Sequence, residues 1–326
     1  MDKAFNHRLA AQHGMTLIEL MVSMVIGIFL VLGAVTVYSQ GRQNYTANEG
    51  IARLQENLRF AVNVLEPDVR LSGFWGMHND SALLDAPGIA VTCDGNDVTA
   101  WALNLGAGGP PGMVAINNVQ AGNNGFVTPG CPATQGGIVV DTDVLEIRRA
   151  SAQPALPNAG ETQLQARLGQ ATVFQNGVVP AGYAGLAPGL TNTYTMLVNS
   201  WYVANGSNAD PTVPSLRRRT LRGGQMVDEE VIAGVENMQI QLGLDTTVPP
   251  DGNVDQYVDP DDPAVALSEV VAARLWLLVR TTDAERGFVD GAIYTPLDRQ
   301  LADIQPGDNF RRMQVAKTIF LRNFRG

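Results

Sequence analysis

Gly14-Met15-Thr16-Leu17-Ile18-Glu19-Leu20 runs straight into an apolar segment that ends near Val37. From Met15 to Tyr38 there are 24 residues and one charge, Glu19. As a helix that run is about 36 Å long, enough to span a bilayer core of about 30 Å. Ordinary secretory signals have a shorter apolar region, followed by a small-x-small cleavage site. Here the run is too long, and nothing after it reads as a good cleavage site. A charge inside a membrane segment costs roughly 2.5–3.5 kcal/mol on insertion scales, so Glu19 marks a functional position. The competing reading is an ordinary anchor that tolerates one Glu near the interface.

The same seven residues resemble the type IV prepilin signature. That resemblance implies a dedicated prepilin peptidase that cuts after Gly14 and methylates the new amine of Met15. The family most often has Phe after the cut, so Met15 is a mild departure. It also implies that Glu19, fifth in the mature chain, meets the N-terminal amine of a neighbouring subunit. Any other register of the two helices would leave two charges unmatched in an apolar core.

The chain has 326 residues, 45% of them hydrophobic and 17% charged, which is a globular composition with an ample core. Its formal charge is −10. Loss of residues 1–14 removes Lys3, Arg8 and Asp2 and leaves 20 basic against 31 acidic residues, net −11. That opposes a general nucleic-acid role, which rests on clustered Lys and Arg. Lys3 and Arg8 favour a cytoplasmic N-terminus, with everything after Tyr38 across the membrane. Cys93 and Cys131 then fall in an oxidising compartment, where a disulfide is the expectation. Closing that loop would contribute about 4 kcal/mol on the chain-entropy account.

Beyond the membrane the helix is expected to continue. Ile51, Leu54, Leu58, Ala61, Leu65 and Val69 recur at three- and four-residue spacing as one apolar stripe. Glu49 with Arg53, and Glu66 with Arg70, are acid-before-base pairs at i,i+4. Pro67 is expected to kink the helix or end its regular part, and Ser72-Gly73 to stop it. After Gly73, residues 102–137 and 150–192 read as loop. Strands are expected at Asp143–Arg149, Tyr194–Ala204, Met238–Leu244, Val270–Thr281 and Arg312–Arg322. The class is α+β: a pilin-like long N-terminal helix packed on an antiparallel sheet. The divisions are a leader at 1–14, a membrane and assembly helix at 15–38, the outer half of the helix at 39–73 and a β-rich head at 74–326.

Four segments extend the resemblance, now to the PilW family of type IV pilus assembly proteins. They are Asp68–Gly76, Thr142–Ile147, Val231–Ile240 and Arg311–Asn323, in the family's order along the chain. The resemblance implies a minor pilin, a low-copy subunit that helps start the fibre and sits near its tip. Its implied partners are prepilin peptidase, other minor pilins, the major pilin and inner-membrane lipid. It implies a single-pass inner-membrane protein with a periplasmic head, later part of a surface fibre. A minor pseudopilin of type II secretion, or an adhesive or DNA-binding tip module, are the rival readings.

Chemistry finds little footing. There is no Gly-x-x-x-x-Gly-Lys, Gly-x-Ser-x-Gly or Cys-x-x-Cys, and the one histidine after residue 14, His78, reads as an exposed structural residue. No enzyme, cofactor or small-molecule substrate is expected, although sequence spacing alone does not place a carboxylate pair. Asp251, Asn253, Asp255, Asp259 and Asp262 fall at the first, third, fifth, ninth and twelfth places of a calcium-loop pattern. Gln256 stands where the sharp turn needs Gly, and no helical pattern flanks the loop. A solvated hairpin is therefore preferred over calcium. Leu216–Arg222, the one basic run, reads as an exposed edge or hairpin blunted by charge. A contact for DNA or an acidic partner is the alternative.

Overall fold

The computed structural model describes residues 14–77, 80–104, 112–118, 130–132, 136–187, 189–298 and 300–322. Leader residues 1–13, His78 and most of the expected loop at 102–137 lie outside the described residues. The chain divides into two compact units, Met1–Gly50 and Ile51–Gly326.

The first unit holds the beginning of helix α1 (Leu17–Arg70). Up to Tyr38 the large apolar side chains are exposed, and the segment is long and apolar enough to cross a membrane. Two threonine hydroxyls in this unit bond back to the helix: Thr36 donates to the Leu32 carbonyl at 2.8 Å and Thr46 to that of Arg42 at 3.0 Å.

In the second unit α1 completes its course from Ile51. Leu54, Leu58, Ala61, Val62, Leu65 and Val69 are buried, and Ile51 lies at the margin of the stripe. Pro67 does not end the helix, which runs three residues further to Arg70. The stop comes where expected: Gly73 takes a φ of +69°, open to glycine at little cost.

The head opens with β1 (Leu84–Asp85), β2 (Thr92–Cys93), β3 (Asn96–Asp97) and the single turn α2 (Thr99–Ala102). There follow β4 (Met113–Ile116), β5 (Val144–Ala150), β6 (Ala159–Arg167), β7 (Gln170–Asn176) and β8 (Thr191–Ala204). The remainder are β9 (Ser215–Arg222), β10 (Gln225–Ala233), β11 (Val235–Asp245), β12 (Gln256–Val258), β13 (Glu269–Arg280) and β14 (Arg312–Phe320). A ten-stranded sheet runs β1-β7-β6-β8-β9-β10-β2-β3, with β5 pairing β8 and β4 pairing β5. The axis of that sheet is β8. One edge pairs β6 through Thr191–Thr195 and β5 through Met196–Trp201, and the other pairs β9. The second sheet is antiparallel, ordered β12-β11-β13-β14. The short β1–β7 and β2–β10 pairs are parallel, which makes the larger sheet mixed.

The main core lies where the helix meets both sheets. Leu58, Ala61 and Leu65 share it with Leu145, Ile147 and Trp201 of the first sheet and with Met238, Ile240, Leu275 and Leu277 of the second. An α+β architecture is what the sequence implied.

Three expectations need correction. Residues 150–192 are not all loop, because β6 and β7 form a hairpin across Leu168-Gly169. Its strands are polar in composition, and Gln163, Gln165 and Thr193 are buried by mutual bonding: Thr193 bonds the Gln165 amide and Gln163 bonds the Leu156 carbonyl. Within the expected loop 102–137, Met113–Ile116 is a strand on β5. The third correction concerns Leu216–Arg222, which is a hairpin strand, as one of the two expectations had it, but is not an edge and is exposed only at Arg222. It forms β9, between β8 and β10, and Arg217 and Arg219 are buried.

Candidate functional site

At the start of the helix, Gly14 and Met15 are exposed, and a Cβ placed on Gly14 would meet nothing within 4 Å. Thr16, just before the helix, stands three positions before Glu19 in its first turn. The Thr16 N–H and hydroxyl both donate to Glu19 Oε2 at 2.9 Å, and the Glu19 N–H reaches back to the Thr16 hydroxyl at 3.3 Å. This is a capping box, closing two backbone donors that the first turn leaves open. The carboxylate also lies where the helix dipole favours negative charge. Both bonds end on Oε2, and no described residue donates to Oε1. Thr16 was missed in the sequence, although Thr-x-x-Glu before an apolar run is a readable signal.

The other end of the helix joins the head through a buried hub. Asp68, 3% exposed, takes Arg149 Nε at 2.9 Å and Nη2 at 2.6 Å on Oδ1. Its Oδ2 takes Asn199 Nδ2 at 2.7 Å and Trp201 Nε1 at 2.9 Å. Glu66 pairs with Arg70, as expected, and also with Lys317 on β14, whose ammonium holds its carboxyl below the ordinary range. The Arg322 N–H caps the Arg70 carbonyl. At Gly112 only glycine fits: a Cβ would come within 2.4 Å of the Arg148 carbonyl and 2.6 Å of the Gly73 nitrogen.

A second staple joins the two sheets. Asp143, fully buried, accepts from the Asn118 N–H at 3.0 Å and the Ile240 N–H at 2.7 Å, while its own N–H donates to the Met238 carbonyl at 2.9 Å. Burial pushes its carboxyl up to about 7, against the pull of those two N–H groups and with repulsion from Asp298 and Asp259.

Cys93 and Cys131 form the expected disulfide, inside a cluster with Trp75, Val98 and Met226. The calcium-loop residues are committed to separate partners. Asp255 Oδ2 takes the Thr246 N–H and hydroxyl at 2.8 and 2.9 Å and the Thr247 hydroxyl at 3.1 Å. Asp251 bonds the Asn253 N–H, Asp259 bonds Gln241 on β11, and Asp262 caps Ala264. Residues 256–258 form β12, so a strand occupies the middle of the stretch. Among the described residues no group of three or more His, Cys, Asp or Glu is arranged to hold a metal ion.

The basic run faces an acidic one. Across the Gly223-Gly224 turn, Arg219, Arg218 and Arg217 stand opposite Asp228, Glu229 and Glu230. Arg217 Nε reaches Asp228 at 2.8 Å, Arg218 reaches Glu229 at 2.8 Å and Arg222 reaches Glu229 at 2.6 Å. Guanidiniums already answered in this way offer little to a phosphate backbone.

Comparison with known proteins places these features. Residues 200–323, which begin in the second half of β8, match the family model of type IV pilus-assembly protein W. Residues 9–35 match the prokaryotic N-terminal methylation motif. Both family resemblances read from the sequence are recovered, and of the four segments that carried the second, Val231–Ile240 and Arg311–Asn323 lie within the match. Among solved structures, a type IV-like pilin from Thermus thermophilus matches at 14% identity with a TM-score of 0.34, covering 83% of this chain and 98% of that one. No curated protein matches this sequence.

Proposed function

We propose that this chain is a minor pilin that takes part in starting type IV pilus assembly. The observation that carries the reading is one chain with two matches: a prepilin-type N-terminus leading into α1, and a PilW-type head. On this reading prepilin peptidase cuts between Gly14 and Met15, and Met15 is methylated. The N-terminus starts in the cytoplasm, residues 15–38 cross the inner membrane, and the head lies in the periplasm before it joins the surface fibre near its tip. The role is structural and not enzymatic. Partners are the other minor pilins and the major pilin.

Glu19 is the assembly residue in this account. Its Oε2 is held by Thr16 of its own chain, just before the helix, which fixes the carboxylate and leaves Oε1 for a neighbour's N-terminal amine. Two charges withdrawn from water offset each other only when paired. The test has two arms. Intact-mass analysis of the membrane-extracted protein is expected to show loss of residues 1–14 and one added methyl, whereas a mature N-terminus beyond Tyr38 would remove the pilin reading. Glu19→Ala is expected to insert normally but to lower sheared-pilus yield and co-purification of other minor pilins. Full piliation by that variant would show Glu19 to be a passenger in an ordinary anchor.

A further inference from the structure

Strand β14 is the outermost strand of the second sheet, and nine residues give it a length of about 30 Å. Leu321 donates to the Val271 carbonyl and Thr281 to the Arg311 carbonyl, so the odd-numbered residues of β14 turn their backbone groups toward β13. The N–H and C=O groups of Gln314, Ala316, Thr318 and Phe320 point the other way, and among the described residues nothing bonds them. Gln314, Ala316 and Phe320 are exposed and Thr318 is half-buried. A long row of open backbone groups is a template for another strand, and folds usually guard against it with short edges, charge, proline or a bulge.

The other edges are guarded in those ways. Outermost strands β1, β3, β4 and β12 are only two to four residues long. Strand β10, open beyond its single pair with β2, carries Asp228-Glu229-Glu230 and a register break between Glu230 and Ile232. Strand β14 has no such device. It contains no proline, and its nine pairs with β13 run without a register break. Its two charges are drawn off by Glu66, which takes Lys317, and by Glu236 and Asp308, which take Arg312.

Charge around the edge says what kind of strand fits. Lys317 and Arg70 share Glu66, and the Arg322 N–H on the Arg70 carbonyl brings exposed Arg322 beside them, with no ion pair of its own among the described residues. Three cations against one carboxylate make this edge basic on a chain whose formal charge is −10. A second copy of β14 would bring the same surplus against itself, and like charges across a strand pair are destabilising. A strand that bears carboxylates gains from the same charges and from the backbone ladder. We propose that β14 receives an extended, carboxylate-bearing strand from the head of a different pilin subunit. This names a docking surface for the assembly role proposed above and rests on that reading.

The test uses the full chain in the membranes of cells that produce it. p-Benzoylphenylalanine in place of Phe320, 59% exposed, keeps a ring at the open edge and on illumination cross-links what lies against it. The expected product joins this chain to a different pilin subunit, with the bond mapped to an extended segment of its head that contains Asp or Glu. Ala316→Pro removes one outward N–H and no bond to β13, and is expected to lower the cross-link yield about tenfold. Arg322→Glu changes only an exposed side chain and is expected to lower it about threefold or more. A product with lipid, with a second copy or with no other chain overturns the proposal. So does a yield that neither substitution lowers in a folded protein. Intact mass on the same samples separates the two readings. A chain cleaved after Gly14 that gives no such product refutes the β14 surface alone, whereas an uncleaved chain refutes the pilin reading and this proposal with it.

Discussion

Asp68→Ala tests how the helix is fastened to the head. The substitution removes one carboxylate and strands four donors: Nε and Nη2 of Arg149, Nδ2 of Asn199 and Nε1 of Trp201. Arg149 keeps a single bond, from Nη1 to the Ala150 carbonyl at 3.1 Å. Breaking a buried pair by removing one partner costs about 3–5 kcal/mol, because the remaining charge stays buried. Each stranded neutral donor would add about 1–3 kcal/mol if nothing relaxed. Water entering the adjoining cavity offsets part of that, since the cavity reaches Arg149 and Asn199. The expected net loss is therefore about 4 kcal/mol, or a melting temperature lower by roughly 8–16 °C. Urea unfolding of the full chain in micelles, followed by near-ultraviolet dichroism, measures it. A double variant, Asp68→Leu with Arg149→Met, removes both charges and is expected to recover about half of the loss. If Asp68→Ala stays within about 1 kcal/mol of the parent, or the double variant is no better than the single one, the hub reasoning fails.

Asp143 predicts an unusual pH slope. Its carboxyl is raised in the fold, so it holds its proton where the unfolded chain has lost it, and stability falls as pH rises through about 7. Between pH 5 and pH 8 that loss is about 3 kcal/mol, and Asp143→Asn is expected to flatten it in urea melts, whereas an unchanged slope would assign it to another group. Removing the disulfide by Cys93→Ser is expected to cost about 3–4 kcal/mol. Alkylation of the denatured parent should find no thiol until reductant is added, and two reactive thiols would rule the bond out. Asp255→Ala is expected to lower the melting temperature equally with and without millimolar calcium, since its carboxylate pins Thr246 and Thr247. A calcium-dependent difference would restore the metal reading of residues 251–262.

Periodicity found the elements that bury one apolar face. The helix stripe from Leu54 to Val69 and strands β5, β8, β11, β13 and β14 were legible because apolar residues recur through them at helical or strand spacing or as near-continuous runs, even though β5 and β11 bury polar side chains as well. The β6–β7 hairpin, with few large apolar residues, carries no such signal. In β6 the run Thr162-Gln163-Leu164-Gln165-Ala166 is wholly buried, and its amides are satisfied by bonds that only the folded chain provides. Charge misled in the same way. Arg217–Arg219 looked like a solvated run because Asp228–Glu230, which answers it, lies on the next strand across Gly223-Gly224. At the N-terminus Glu19 was legible as a cost to the membrane, but its partner Thr16 carries no charge and passed for part of the apolar run.

The four segments that carried the PilW resemblance are stitched to one another. Asp68, in the first, holds Arg149, two residues beyond the second. Asp143, in the second, bonds Met238 and Ile240 in the third. Glu236, in the third, takes Arg312 of the fourth on both oxygens, through Nε at 2.5 Å and Nη2 at 2.9 Å. The fourth closes the circuit on the helix through Lys317 and Glu66, and through Arg322 and Arg70. Helix end, first sheet and second sheet are thus tied by charged and polar pairs whose two members lie far apart in sequence. Where both members are buried, as in Asp68 with Arg149, a single change leaves a buried partner unmatched. The β6–β7 hairpin is absent from this circuit, and neither the quoted segments nor the match at 200–323 reaches it. It is therefore the part of the head most open to change without loosening the fastening of helix to sheets, and its Thr162 lines the same cavity as Asn199 and Arg218.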